Sequence, residues 1–292
     1  MAMLKTTTPE SLANLGVYKS YKNSKFLSIK LSSYFQVYEE LFNKFVGKKF
    51  TFVEIGILNG GSLFMWRDYF GEQARIIGVD FNPDAKRWEA DGFEIYIGDQ
   101  SDPNFWDNFF SVVGKVDVIL DDGGHTNRQQ IVTTDRCIPN INDGGLLVIE
   151  DVHTSYFRAF GNPSKYSFIS FAKSLVDRVN SRFPGVSASN NKLGEWIYSV
   201  SFFESIVCFH IDKSKSFVST LTTNDGINVN AVDFRHKSSA NSGVAQIQKN
   251  LSTYFGFFKN VKFVKNFGFK FFTMLNYFAS KKDTLKVKKY FN

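Results

Sequence analysis

Val116-Asp-Val-Ile-Leu-Asp-Asp-Gly-Gly-His125 and Leu146-Leu-Val-Ile-Glu-Asp151 decide how this chain folds. Each is a short apolar run that ends in two adjacent carboxylates, and the first adds a histidine three residues after its second aspartate. Continuous runs of leucine and β-branched residues belong to strands buried on both faces, as in a parallel sheet. Open α/β sheets bind ligands beyond the carboxyl ends of their strands. Two such strands side by side would gather Asp122, Glu150 and Asp151 around one point, with His125 beside it. That is a site for a hard cation with a resident base. Asp-Asp-Gly is also a common turn, and Glu150-Asp151 is also a helix-capping pair. The two pairs together, on neighbouring strand ends and with His125, favour the metal reading.

Around these runs, apolar patterns alternate between periods of 2 and 3.6. Strands are expected at Phe52–Ile57, Arg75–Asp80, Phe93–Gly98, Val116–Leu120 and Leu146–Ile149. Helices are expected at Ser33–Phe45, Ser62–Phe70, Phe105–Val113, Arg128–Cys137 and Ser167–Phe183. Strands alternating with helices imply right-handed crossovers and a doubly wound, mostly parallel sheet. Trp196–Glu204 and Ile206–Ile211 read as an antiparallel hairpin on its edge.

Composition sets the outer bounds. With 292 residues, 43% of them hydrophobic, the chain can bury a sizeable core. Cys137 and Cys208 lack metal-type spacing and sit among apolar residues, as buried, reduced thiols of a cytoplasmic protein would. The first residues show no apolar leader core, and no run of about 18 uncharged apolar residues occurs, so neither a signal peptide nor a transmembrane helix is expected. The net charge of +7 is uneven: from Leu251 onward there are nine lysines and one acid, Asp283. Basicity is thus a property of the tail, far from the acidic centre, which argues against nucleic acid as a partner.

Glu54-Ile-Gly-Ile-Leu-Asn-Gly-Gly-Ser62 lies between the first strand and the next helix, where glycine permits close backbone approach. Asp80 ends the second strand, where doubly wound folds place an acid against a ribose. Asp99 ends the third. The loop lacks the G-x-G-x-x-G of dinucleotide sites, and the order of acids fits S-adenosylmethionine better than NAD.

Together with Met65-Trp-Arg-Asp-Tyr-Phe70, Gly98-Asp-Gln-Ser-Asp102, Asp121-Asp-Gly-Gly-His125 and Thr154-Ser-Tyr156, this loop resembles class I S-adenosylmethionine-dependent methyltransferases. More narrowly it resembles the macrocin and mycinamicin sugar O-methyltransferases. The resemblance covers about residues 50–156. It implies that Glu54, Gly56 and Gly60 shape a methionine pocket, with Ser62 beside them. Asp80 would hold the ribose hydroxyls, Asp99 and Gln100 would flank the adenine, and Asp121 would be a further cofactor contact. Asp122, Glu150 and Asp151 would bind Mg²⁺, with Mn²⁺ or Ca²⁺ as alternatives, and His125 would be the catalytic base. Gly124 stands where the family has serine, which leaves the spacing of ligand and base unchanged. Cephalosporin hydroxylase-like proteins share much of the constellation, and a metal-dependent enzyme of that group or a catechol-type methyltransferase is the rival reading.

The expected reaction is metal-assisted methyl transfer to a sugar hydroxyl of a polysaccharide or glycosylated metabolite. A sugar alcohol is a poor nucleophile, and a cation plus a base would activate it. Tyr156, with Thr154 and Ser155, is a candidate for the acceptor wall, with simple packing as the alternative; His153, close after Asp151, is a candidate to contact the acceptor or support the ligands, or is merely exposed. His210, in a strand, reads as structural. A non-catalytic, membrane-associated scaffold is the rival from another class, and the intact acids argue against it.

The expected organisation is an N-terminal helical cap (1–46), a Rossmann-like methyltransferase domain (47–212), a polar loop segment (213–250) and a basic, aromatic helical tail (251–292). The cap either covers the sheet or helps close the site. The tail packs on the domain or on a second copy in a homo-oligomer, or lies on the inner face of an anionic membrane.

Overall fold

The computed structural model describes residues 10–160, 164–183, 186 and 192–229, with separate positions between 271 and 291. Among these, seven strands form one sheet. β1 (Thr51–Ile55), β2 (Arg75–Asp80), β3 (Glu94–Ile97), β4 (Val116–Asp121) and β5 (Ile141–Ile149) run parallel. β6 (Ile197–Phe203) and β7 (Ile206–Ile211) form the hairpin, and β7 pairs antiparallel with β5. The order is β3-β2-β1-β4-β5-β7-β6. The chain turns from one wing to the other between β1 and β4, so their carboxyl ends flank the crevice that such sheets use for ligands.

Alternation along each strand decides what faces which layer. Phe52, Leu120, Leu146 and Val148 join a core covered by α1 (Gly16–Asn23), α2 (Tyr34–Phe42) and α3 (Gly61–Phe70). Val53, Ile55, Ile119, Leu147 and Ile149 join the opposite core, under α4 (Pro103–Val113), α5 (Asn127–Cys137) and α6 (Phe168–Asn180). By the same parity Glu54 and Glu150 follow Phe52 and Val148 toward α2, whereas Asp121 follows Ile119 toward α5. The first layer is dense in rings: Tyr38, Phe42, Phe52, Trp66 and Phe70 pack edge-to-face and stacked against one another.

The expected elements stand, with shifted ends. α4 begins at Pro103 rather than Phe105, because the Asp102 side chain accepts from Asn104 N and proline suits the first turn. β5 begins at Ile141, ahead of an Asp-Gly-Gly stretch, exposed at Asp143 and Gly144, whose composition hides the strand. α1 and a 3-10 stretch at Pro83–Asp91 are not among the expected elements. Cys137 and Cys208 are buried and unpaired.

Residues 1–220 form one compact unit and residues 221–292 another. The first holds the N-terminal helices as well as the sheet, so the expected cap and domain pack as a single body. In the second, residues 221–229 are irregular, and the described positions from Phe271 onward are helical. Most of the expected tail, including residues 251–270, lies outside the described residues. No helix among the described residues is long and apolar enough to cross a membrane.

Candidate active site

A cleft of about 630 Å³ opens where β1 and β4 diverge, lined by Gly56, Asp80, Asp99, Asp122, His125 and Asp151 among others. Gly56 makes the convergence possible. Its φ is +82°, and a Cβ there would lie 2.2 Å from the Asp122 carbonyl oxygen, so no other residue lets the two strand ends approach so closely.

Asp80 braces the glycine loop from the next strand. Its Oδ2 accepts from Ile57 N (2.9 Å) and Leu58 N (3.2 Å), and its Oδ1 from Asn82 N (2.8 Å). Asp99 lines the cleft and accepts from Ser101 N at 2.7 Å. Gln100 is buried: its Nε2 donates to Asp121 Oδ1 at 2.9 Å and its Oε1 accepts from Gly124 N at 2.9 Å. Asp121 is buried behind the wall, on the α5 side that its strand parity dictates. Burial pushes its carboxyl up to about 6, with the Gln100 and Gly123 hydrogen bonds opposing.

Asp122, His125 and Asp151 meet at the end of the cleft. One ligand atom from each lies within 4.8 Å of the others. His125 Nε2 is 3.3 Å from Asp151 Oδ2 and 4.0 Å from Asp122 Oδ1. Its Nδ1 is buried with no hydrogen-bond partner among the described residues. His125 (φ 58°) and Asp151 (φ 54°) both sit in the left-handed region, as does Leu58 (φ 39°) on the cleft rim. Such conformations cost of order 1–3 kcal/mol each and gather where side chains must be aimed. α5 starts immediately after His125, through a capping box of Thr126 and Gln129. Thr154 ties the two acidic turns together: its hydroxyl reaches the carbonyls of His125 (2.9 Å) and Asp151 (2.8 Å). Two carboxylate oxygens and an imidazole nitrogen at this spacing fit a divalent cation.

Beneath this outer group lies a second one, centred on Lys30, a residue not among those singled out in the sequence. Lys30 precedes α2 in an irregular segment, and its side chain is 2% exposed. Its Nζ lies 2.6 Å from Asp122 Oδ2, 3.2 Å from Glu150 Oε2 and 3.8 Å from Glu54 Oε1. Tyr38 donates to Glu150 Oε1 at 2.5 Å, and Tyr34 donates to Asp151 Oδ1. Glu54 also accepts from Ser62 Oγ (2.8 Å) and Trp66 Nε1 (3.2 Å). Burial pushes the Glu54 carboxyl up to about 7, against the pull of Lys30 and Ser62. Burial likewise holds Glu150 well above the usual carboxylate range, with Lys30 and Tyr38 opposing. For Lys30 burial works against the ammonium, but Asp122, Glu150 and Glu54 outweigh it and raise the group above its ordinary value. One ammonium cannot neutralise three acids, so this layer retains protons near neutrality.

Of the residues singled out in the sequence, Gly56, Asp80, Asp99, Gln100, Asp122, His125 and Asp151 line the cleft. Glu54, Gly60, Ser62, Asp121 and Glu150 stand behind its wall. Glu54 and Glu150 were expected among the cofactor and metal contacts, but strand parity turns both toward the N-terminal helices. Gly60 is packed under Trp88. His153 turns to Ser205 Oγ, with its Nδ1 3.8 Å from Asp151 Oδ1. Tyr156 is exposed and outside the cleft lining. A cue to the missed group is present: Tyr34 and Tyr38 fall on one face of α2, and Lys30 lies one further step of four before them.

Residues 53–152, which carry this geometry, match the family described as a methyltransferase domain. This segment is a methyltransferase domain. The chain is 33% identical over 160 residues to 8-demethyl-8-alpha-L-rhamnosyl tetracenomycin-C 2'-O-methyltransferase of Streptomyces olivaceus, covering 51% of this chain and 42% of that protein. It is 31% identical over 188 residues to demethylmacrocin O-methyltransferase of Streptomyces fradiae, covering 57% and 47%. To mycinamicin VI 2''-O-methyltransferase of Micromonospora griseorubida it is 30% identical, covering 57% and 46%. The chain thus spans less than half the length of these relatives. Two of them are the macrocin and mycinamicin enzymes to which the motifs point. The solved MycE methyltransferase of the mycinamycin biosynthetic pathway, in complex with Mg, SAH and mycinamycin VI, shares the fold: TM-score 0.61 at 22% identity, over 74% of this chain and 57% of that one.

Proposed function

We propose that the chain is a metal-assisted, S-adenosylmethionine-dependent O-methyltransferase that acts on a sugar hydroxyl of a glycosylated metabolite. The observation that carries this reading is the meeting of Asp122, His125 and Asp151 at one end of a cleft whose other wall presents Asp80 and Asp99. The relatives' names support the acceptor class: all three are O-methyltransferases, and one is named for the 2' oxygen of a rhamnosyl tetracenomycin.

Asp80 and Asp99 would receive the ribose and adenine ends of the cofactor, while Gln100 holds the turn at Gly124 from behind. S-Adenosylmethionine supplies an activated methyl group. A Mg²⁺ ion held by the cleft-facing oxygens of Asp122 and Asp151 would lower the pKa of the acceptor hydroxyl. His125 Nε2 faces the same space and takes the hydroxyl proton. Its left-handed backbone and the Thr154 bond to its carbonyl fix the main chain that carries the ring, which serves placement of the reacting groups.

The test is methyl transfer from S-adenosylmethionine to a rhamnosylated aglycone. Chelation by EDTA abolishes turnover and Mg²⁺ restores it. His125→Ala lowers turnover by about 10²–10⁴-fold, less at high pH where hydroxide replaces the base. Full activity in EDTA, or an unimpaired His125→Ala enzyme, would refute the reading. The 3.3 Å approach of His125 Nε2 to Asp151 favours a second reading, in which the imidazole is itself a ligand. Cation affinity separates the two: His125→Ala leaves it intact if His125 is a base and lowers it if His125 is a ligand.

A further inference from the structure

The acidic cluster has two halves, and its oxygens are divided between them. Asp122 gives Oδ2 to Lys30 at 2.6 Å and turns Oδ1 to His125. Asp151 gives Oδ1 to Tyr34 and turns Oδ2 to His125. Glu150 has neither oxygen turned to the cleft. Its Oε1 accepts from Tyr38 at 2.5 Å and lies 3.4 Å from Lys30 Nζ, and its Oε2 lies 3.2 Å from the same nitrogen. An ammonium therefore fills the inner half, while the outer half is lined by one free oxygen from each aspartate.

The segment that delivers Lys30 is firmly seated. Ser24 Oγ donates to the Gly61 carbonyl at 2.7 Å, and Tyr21 Oη donates to the Ser28 carbonyl at 3.1 Å. A Cβ at Gly61 would lie 2.4 Å from the carbonyl oxygens of Phe26 and Leu27. The chain crosses the start of α3 in direct contact, and only glycine permits it. Leu27, Ile29 and Leu31 point to solvent while Lys30 points in, as an extended segment dictates. Lys30 is thus held in the cluster by backbone packing and side-chain bonds that do not depend on its own charge.

We propose that Lys30 is a positioning residue of the metal site: its tethered ammonium occupies the inner half, withdraws Glu150 from the ligand set and confines a divalent cation to the cleft-facing oxygens of Asp122 and Asp151. This rests on the metal-assisted reading above. The physical reason is like-charge exclusion. Mg²⁺ sits about 2.0–2.1 Å from its ligand oxygens. A cation at that distance from Glu150 would meet the Lys30 ammonium in a space that water does not screen.

Mn²⁺ binding to the full chain, followed by the loss of the free-ion EPR signal, tests the assignment without reference to turnover. In the wild type, Asp151→Asn weakens Mn²⁺ binding by about tenfold or more, whereas Glu150→Gln leaves it nearly unchanged. Lys30→Met tightens binding by about tenfold, because Glu150 becomes a ligand, and the gain disappears in the Lys30→Met/Glu150→Gln double variant. Lys30→Arg, which keeps the charge, binds as the wild type does. Should Lys30→Met fail to fold, the comparison of Glu150→Gln with Asp151→Asn in the Lys30 background still decides. Glu150→Gln weakening Mn²⁺ binding as much as Asp151→Asn would overturn the assignment of Lys30 alone. No Mn²⁺ binding by any form would overturn the metal-assisted reading and this assignment with it.

Discussion

Asp121 and Glu150 close adjacent strands, and each is followed by an aspartate that faces the cleft, yet the two are accommodated by opposite means. Asp121 is met by neutral dipoles: Gln100 Nε2 at 2.9 and 3.0 Å and Gly123 N at 3.1 Å. Glu150 is met by a cation and a phenol, Lys30 and Tyr38. The partners of Asp121 come from the sheet domain itself. Those of Glu150 come from a segment more than a hundred residues earlier in the chain. A buried acid held by dipoles is complete once its own domain folds. One held by a distant ammonium depends on the docking of another segment, and its neighbours share the consequence.

The contrast breaks most visibly at Lys30. Lys30→Met leaves Glu54, Glu150 and Asp122 without their cation, and unfolding in urea should show a loss of about 3–5 kcal/mol. A variant as stable as the wild type would erase the distinction between the two acids. The next largest effect is on pH dependence. Glu54 is fully buried with its carboxyl raised to about 7, so the native state holds that proton more tightly than the unfolded chain does. Its contribution is fully present below the ordinary carboxylate value of 4.5 and is lost as pH rises through 7. Glu54→Gln should flatten the stability profile across this window by about 3 kcal/mol, measured by urea midpoints from pH 4 to 8. An unchanged slope would show that Glu54 is ionised throughout.

Asp121→Asn should be milder, about 1 kcal/mol, because the amide keeps an acceptor for Gln100 and sheds a buried charge. A loss as large as that of Lys30→Met would mean that dipoles and cations serve these acids alike. The smallest effect sharpens the comparison from outside. Arg75 grips Glu94 with two bonds of 2.6 and 2.7 Å, but both side chains are about two-fifths exposed. Arg75→Ala should cost under about 1 kcal/mol by thermal melting, since exposed pairs are screened. A larger loss would show that pairing geometry outweighs burial here.

The sheet was legible because its strands are apolar on both faces and its turns are rich in glycine and aspartate; Val116–Asp121 and Ile206–Ile211 need nothing else. The outer acids were legible too, since Asp122 and Asp151 sit at strand ends. Glu54 and Glu150 were visible as acids but not as buried ones. That follows only from parity with Phe52 and Val148, once the layers are known. Lys30 was hidden because Leu27, Ile29 and Leu31 alternate with Ser28 and Lys30, a pattern that reads as apolar side in, whereas the structure exposes the apolar residues and buries the lysine. Its partners lie 92 and 120 residues away, a separation that no local pattern encodes.

Thr154 has a mechanical consequence. Its backbone N already serves the Asp151 carbonyl at 3.0 Å, so its hydroxyl proton is free for the carbonyl of His125, 29 residues away. That stitch makes the two acidic turns one rigid plate. A movement that swings Asp151 aside must drag the backbone of His125 with it, so the floor of the cleft yields as a whole or not at all. Accommodation of a bulkier guest then falls to the side chains of the opposite rim, where Leu58 and Phe81 stand exposed on a backbone that Asp80 braces.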